Sequence, residues 1–135
     1  QRVDILGKRA RLDSEDWLSV TYYLLLPYRD VDSGNILEVN NQSEVLFGLP
    51  RKDIIGKTPA YLSPDYQPDG SRSEDLVKEK MANVAHRGGE TFYWQHKHAS
   101  GAQIPCLVQT SKLPILGSEL FIGFVTEISE QKEVL

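Results

Sequence analysis

The sequence predicts an α+β domain: a five-stranded antiparallel sheet with short helices and one longer helix packed on one face. Three observations predict it. The stretch from Asp32 to Gly56 reads as a turn, a short strand and two short helices stopped at Gly48 and Gly56. Val77, Met81, Val84 and Ala85 then fall at i, i+4, i+7 and i+8, one face of a longer helix. From Phe92 the apolar period drops to two through FYWQHKH, IPCLVQT and LFIGFVT, which gives three strands in succession.

Residues 1–25 are expected to form an N-terminal linker or leading helix. Ser14 would cap it ahead of Glu15, with Trp17, Leu18, Thr21 and Leu25 turned inward. The same segment has strand-like content from Val20 to Leu26, and both readings stay open at this point. Pro27 ends a helix there, so the first strand is placed over Tyr28 to Asp32. Asp32-Ser33-Gly34-Asn35 has turn chemistry, and Ile36 to Val39 follows as the second strand. Asn40 is positioned to cap a helix whose inward face is Val45, Leu46 and Leu49. Pro50 to Ile55 forms a further helical turn. Thr58 to Gly70 carries three prolines and reads as a loop with one helical turn near Ala60.

Ser71 and Glu74 fit a capping box for the longer helix, which Gly88-Gly89 closes. On the next strand Phe92, Trp94, His96 and His98 share one face. Ser100-Gly101 turns the hairpin, and Ile104, Cys106, Val108 and Thr110 face one way. Leu120, Ile122, Phe124 and Thr126 are expected to repeat that inward pattern on the last strand.

Composition bounds the function. A chain of 135 residues with 40% hydrophobic and 25% charged side chains has the makeup of one globular domain, not of a disordered segment. A net charge of -4 with scattered Lys and Arg argues against a nucleic-acid partner. One cysteine, Cys106, excludes an intrachain disulfide and a multi-cysteine metal site, and suits a reducing, cytoplasmic setting. The uncharged, mostly apolar stretch from Trp17 to Tyr28 is too short to cross a bilayer, so no membrane contact is expected. The chain opens on Gln1 and stops inside what reads as a starting helix, which suggests a piece of a longer protein.

The first block, DSGNILEVNNQSEVLFGLPRKDIIG, with FYWQHKHASGAQIPCLVQTSKL and LFIGFVTEISEQK, resembles a PAS domain, the sensory and dimerising module of signalling proteins. The closing TEISEQK is similar to that family's D-I-T-E-x-K exit, with Glu127 in place of Asp and Ser129 in place of Thr. The resemblance implies a PAS domain over residues 26–129 and the start of a C-terminal signalling helix at 130–135. It also implies a cavity between sheet and helices walled by Leu46, Ile55, Met81, Trp94, His96, Cys106, Val108 and Ile122. Relatives use that cavity for haem, flavin or small organic molecules.

Neither chromophore is favoured by the residues. The light-sensing branch carries a reactive cysteine in Asn-Cys-Arg-Phe on a helix, whereas Cys106 sits on a strand between Pro105 and Leu107. His86 lies at the last turn of the longer helix, where its charge suits the helix dipole, and the haem motif is unmatched at Ser71-Arg72-Ser73. His96 and His98 lack a third ligand at metal-binding spacing, so no metal site is expected. The cofactor is therefore unknown, with a small organic ligand or a filled core as the open alternatives.

On the opposite sheet face Tyr93, Leu107, Phe121 and Val125 are expected to alternate outward, an apolar patch suited to a homodimer. Glu127, Ile128 and Ser129 are the expected signal exit toward an effector domain. The function expected is sensing or regulation in a larger signalling protein, by small-molecule binding, dimerisation or both. The alternative is a ligand-free dimerisation module. Tyr61, Asp65 and Tyr66 beside the pocket mouth are the candidate proton-transfer residues were the domain catalytic, and no catalysis is expected.

Overall fold

The computed structural model describes residues 2–5, 8–11, 21–26, 34–115 and 118–128. The N-terminal residues do not begin as a helix: Arg2–Ile5 (β1) and Lys8–Arg11 (β2) pair as a separate antiparallel ribbon. The helix expected after Ser14 and the strand expected over 28–32 lie outside the described residues. The strand that completes the sheet is Thr21–Leu25 (β3), so the domain starts upstream of residue 26. Alternating TYYLL supplies the half-buried pattern a strand needs, with Tyr23 and Leu25 on the buried side.

The sheet adds Ile36–Val39 (β4), Gly89–Lys97 (β5), Gln103–Ile115 (β6) and Ser118–Glu127 (β7), in the order β4-β3-β7-β6-β5. Every neighbouring pair is antiparallel. Between β4 and β5 the chain forms the helices Asn41–Phe47 (α1), Arg51–Ile54 (α2) and Ser73–Arg87 (α3), with a 3-10 turn at Pro59–Leu62. The core lies between these helices and one face of the sheet. It joins Phe47, Ile54, Leu62, Val77, Met81 and Val84 to Tyr23, Trp94, Cys106, Val108, Phe121 and Val125.

Register fixes which residues share that face. Tyr23 opposes Gly123, Leu25 opposes Phe121, and Val108 opposes Val125, so the inward residues of β7 are Phe121, Gly123 and Val125. This reverses the parity expected from the sequence. Phe121 and Val125 belong to the core and not to the outer patch, while Ile122 and Phe124 take the outer face opposite Leu24 and Tyr22. The reason is the glycine. A Cβ at Gly123 would stand 2.5 Å from Tyr23 Cε1, so only glycine lets the Tyr23 ring lie across β7.

The helices also depart from expectation in detail. The inward residues of α1 are Ser43 and Phe47, whereas Val45 is 73% exposed. Asn40 holds the N-cap position, but its Oδ1 accepts from the Tyr22 N–H at 3.2 Å and the Ser43 hydroxyl at 3.0 Å, tying α1 to β3. Arg51 grips both carboxylate oxygens of Glu38 at 2.6 and 2.7 Å, which anchors α2 to β4. α3 starts at Ser73 with Arg72 as N-cap, so Ser71 caps nothing. Val77, Met81 and Val84 are buried as expected, and Ala85 is exposed.

Candidate functional site

The interior behind β5 is closed by aromatic rings around one histidine. His96 is fully buried, with Phe47, Tyr23 and Trp94 packed edge-on at centroid distances of 5.0, 6.2 and 6.4 Å. Its Nδ1 lies 2.8 Å from the Leu62 carbonyl oxygen, which assigns the proton to Nδ1. Ser63 Oγ sits 3.3 Å from the same nitrogen, accepts from Trp94 Nε1 at 2.8 Å and donates to the Pro59 carbonyl at 2.8 Å. Nε2 has no partner among the described residues. Burial pushes the imidazole down to about 4, with the Leu62 carbonyl acting weakly the other way. The ring is neutral at physiological pH.

Cys106 lies on the same face, its thiol donating to the Ile104 carbonyl at 3.2 Å. Burial raises that thiol to about 12. The space left between Tyr23, Pro59, Val77, Lys80, Met81, Phe92 and Trp94 is about 10 Å³, the room of a single water at most. Lys80 Nζ lies 3.5 Å from Glu90 Oε1 and 5.1 Å from the Phe92 ring centroid, so its charge is compensated from two sides.

The larger space is at the edge of the sheet. A groove of about 410 Å³ runs beside β5, bounded by the loop Gln67–Asp69, by Leu76 and Lys80 of α3, and by Phe92 to Gln95. It extends to Pro105, Cys106 and Ile128. The loop is fixed to the strand by one side chain. Gln67 Oε1 accepts from the Gln95 N–H at 2.9 Å, and its Nε2 donates to the Gln95 carbonyl at 3.0 Å and to Ser73 Oγ at 2.8 Å. That carboxamide stands in for the N–H and C=O of one residue of a sixth strand. At the other end, Pro105 lacks an N–H, but its carbonyl accepts from the Ile128 N–H at 3.0 Å just past β7. Ile128 is thereby buried against the groove.

The predicted wall residues divide. Trp94 and Cys106 reach the groove, while Met81, His96 and Val108 pack in the core and Leu46 and Ile55 cover its rim. Ile122 is buried on the other face of the sheet. Of the predicted patch, Tyr93 stands outward at 65% exposure opposite half-buried Leu107. The rest of that face includes the edge-on pair Tyr22 and Phe124, at 6.3 Å. Glu127 is exposed at the end of β7, and Ser129 lies outside the described residues. Tyr61 and Tyr66 are exposed near Asp65 and do not converge on a buried site.

His86 is exposed at the end of α3, and His98 turns to Ser100 at 3.0 Å, away from His96. Sequence reasoning missed Gln67, Ser63 and Phe47. Only Phe47, one turn after Ser43, carried a periodic signal; a glutamine and a serine in a proline-rich loop carry none.

The sequence profile described as PAS domain matches residues 22–130. No curated protein sequence matches the chain. Among solved structures, the PAS domain of an HTR-like protein from Haloarcula marismortui is 17% identical, with 82% of each chain covered and a TM-score of 0.63. A PAS domain from a two-component sensor histidine kinase is 15% identical, with 80% of this chain and 84% of that one covered and a TM-score of 0.60. The LOV domain of a blue-light activated histidine kinase from Erythrobacter litoralis is 14% identical, covering 82% and 97%, at a TM-score of 0.64. These are likenesses of fold. Between sheet and helices, Tyr23, Pro59, Val77, Met81, Phe92 and Trp94 leave about 10 Å³, so these residues as placed do not fit a flavin or haem there. No described helix is long and apolar enough to cross a membrane.

Proposed function

The chain belongs to the PAS domain family, and from that premise we propose that it is the sensory and regulatory module of a larger cytoplasmic signalling protein. It is non-catalytic in itself. It detects a small molecule in the groove beside β5 and relays occupancy through Ile128 to the C-terminal helix and an effector domain of the same chain. One observation carries the reading: Ile128, the first residue beyond the last strand, walls the same 410 Å³ groove as Trp94 and Cys106. A ligand lying against Ile128 acts on the exit directly, provided it binds the two exit arrangements unequally. The groove is within the usual range for small-molecule sites, about 300–1,000 Å³.

The test is a fragment titration read by backbone amide shifts. Compounds that move Tyr93 and Gln95 are expected to move Ile128 with them. Groove ligands that leave Ile128 unmoved defeat the relay, and an output unchanged by Leu76→Trp, which fills the groove, defeats the sensing role.

Homodimerisation is the second reading, favoured by Tyr93 standing 65% exposed beside Leu107 on the sheet face away from the described helices. Sedimentation of Tyr93→Glu with Leu107→Glu decides it. A dimer that becomes monomeric supports this face as the interface, and an unchanged mass rejects it.

A further inference from the structure

We propose that the groove beside β5 takes small planar molecules presenting a hydrogen-bond donor and acceptor side by side, a primary carboxamide or a lactam, on the backbone N–H and C=O of Tyr93. The inference rests on the groove being the sensing site and names the chemistry that site accepts.

The resident carboxamide is the template. Gln67 places its amide on the N–H and C=O of Gln95 at 2.9 and 3.0 Å, so Gln95 turns both backbone groups away from β6. In an antiparallel ladder that orientation recurs at every second residue. Tyr93, which opposes Leu107, therefore offers the same N–H and C=O pair along the same edge. Among the described residues no group outside the ladder bonds to that pair. Phe92, Tyr93, Trp94 and Gln95 all line the groove although their side chains alternate between faces, so the groove follows the strand's backbone edge. A planar amide fits such an edge through both its atoms, as Gln67 does one repeat away.

The surroundings select for neutral, flat molecules. Phe92, Trp94 and Leu76 provide the apolar wall. Lys80 is already engaged by Glu90 and Phe92, and Asp69 stands on the opposite rim, so among the described residues the groove has no free cation for an anion. A carboxylate would also set an acceptor against the Tyr93 carbonyl, leaving both oxygens badly paired.

The test uses nicotinamide and pyridone as probes and nicotinate as the matched acid, followed by amide shifts of the isotope-labelled protein. Both amides are expected to shift Tyr93, Gln95 and Ile128, with nicotinate at least about tenfold weaker. Tyr93→Pro removes the N–H without breaking a ladder bond, because it lies on an edge strand facing outward, and is expected to abolish binding. Leu76→Trp, on the helix side of the groove, is expected to block the probes as well and serves should the proline disturb β5. Equal binding of nicotinate, or amide binding that survives both variants, overturns the proposal. Shifts in the groove from acids or hydrocarbons but not from either amide overturn the ligand class and leave the sensing site standing. A groove that no fragment shifts overturns both.

Discussion

The side-chain amide of Gln67 and the backbone of Gln95 form a two-point clamp, oxygen accepting at 2.9 Å and nitrogen donating at 3.0 Å. Gln67 is only 6% exposed, and the same nitrogen reaches Ser73 at the start of α3. One side chain thus joins loop, helix and strand. Gln67→Ala is expected to cost about 2 kcal/mol, since the groups it frees are partly open to water. Gln67→Glu keeps the acceptor but turns a second oxygen on the Gln95 carbonyl, so it should be no better than alanine. Urea unfolding measures both, and hydrogen exchange at the Gln95 amide should accelerate. A glutamate variant as stable as the original chain would show that the donated bond contributes nothing.

Tyr23 lies across Gly123 so closely that a methyl group there would meet the ring at 2.5 Å. Gly123→Ala is expected to lower stability by about 1–3 kcal/mol, the cost of forcing a packed ring aside. Tyr23→Leu in the same chain should recover part of that loss. A double-mutant cycle reads the coupling directly, and additive effects would mean the ring is not what requires the glycine.

Much of the fold was legible because β5 and β6 each have one strongly apolar face. Trp94 and His96 on one strand and Ile104, Cys106 and Val108 on the next admit a single choice of inward face, and the structure follows it. β7 was not legible. In LFIGFVT both parities are apolar, Leu120, Ile122 and Phe124 against Phe121 and Val125, so periodicity cannot choose. Gly123 chose, through a contact with Tyr23 a hundred residues away in the chain. The site was less legible still. Trp94 and Cys106 were expected on a cavity between sheet and helices and Ile128 only at the exit, yet all three line the groove, and Gln67 acts there through a backbone pairing that no local pattern announces.

Cys106 should behave as an inert core residue. It is 1% exposed, and burial lifts its thiol from 9.0 to about 12. That shift alone lowers the thiolate fraction at neutral pH about a thousandfold. Alkylation with iodoacetamide at mildly alkaline pH is expected to be undetectable in the folded protein and complete once urea unfolds it. Rapid labelling of the native state, read by intact mass, would require the β5–β6 core to open locally.

His96 makes stability depend on acid. The neutral ring is held by the Leu62 carbonyl among Phe47, Tyr23 and Trp94, and its value falls from 6.5 to about 4 on folding. Below 6.5 the unfolded chain binds a proton at this site that the folded chain refuses. Its contribution is therefore fully present above pH 6.5, shrinks as pH falls, and is exhausted once pH passes about 4. At roughly 1.4 kcal/mol per unit the full loss is about 3 kcal/mol. His96→Phe fills the same aromatic cage without a titrating group, at the expense of the Leu62 bond. It should be less stable at neutral pH yet flatten the slope between those limits. Urea midpoints across this range for both chains provide the measurement. Parallel pH curves would place the acid sensitivity elsewhere and show that the buried imidazole carries none of it.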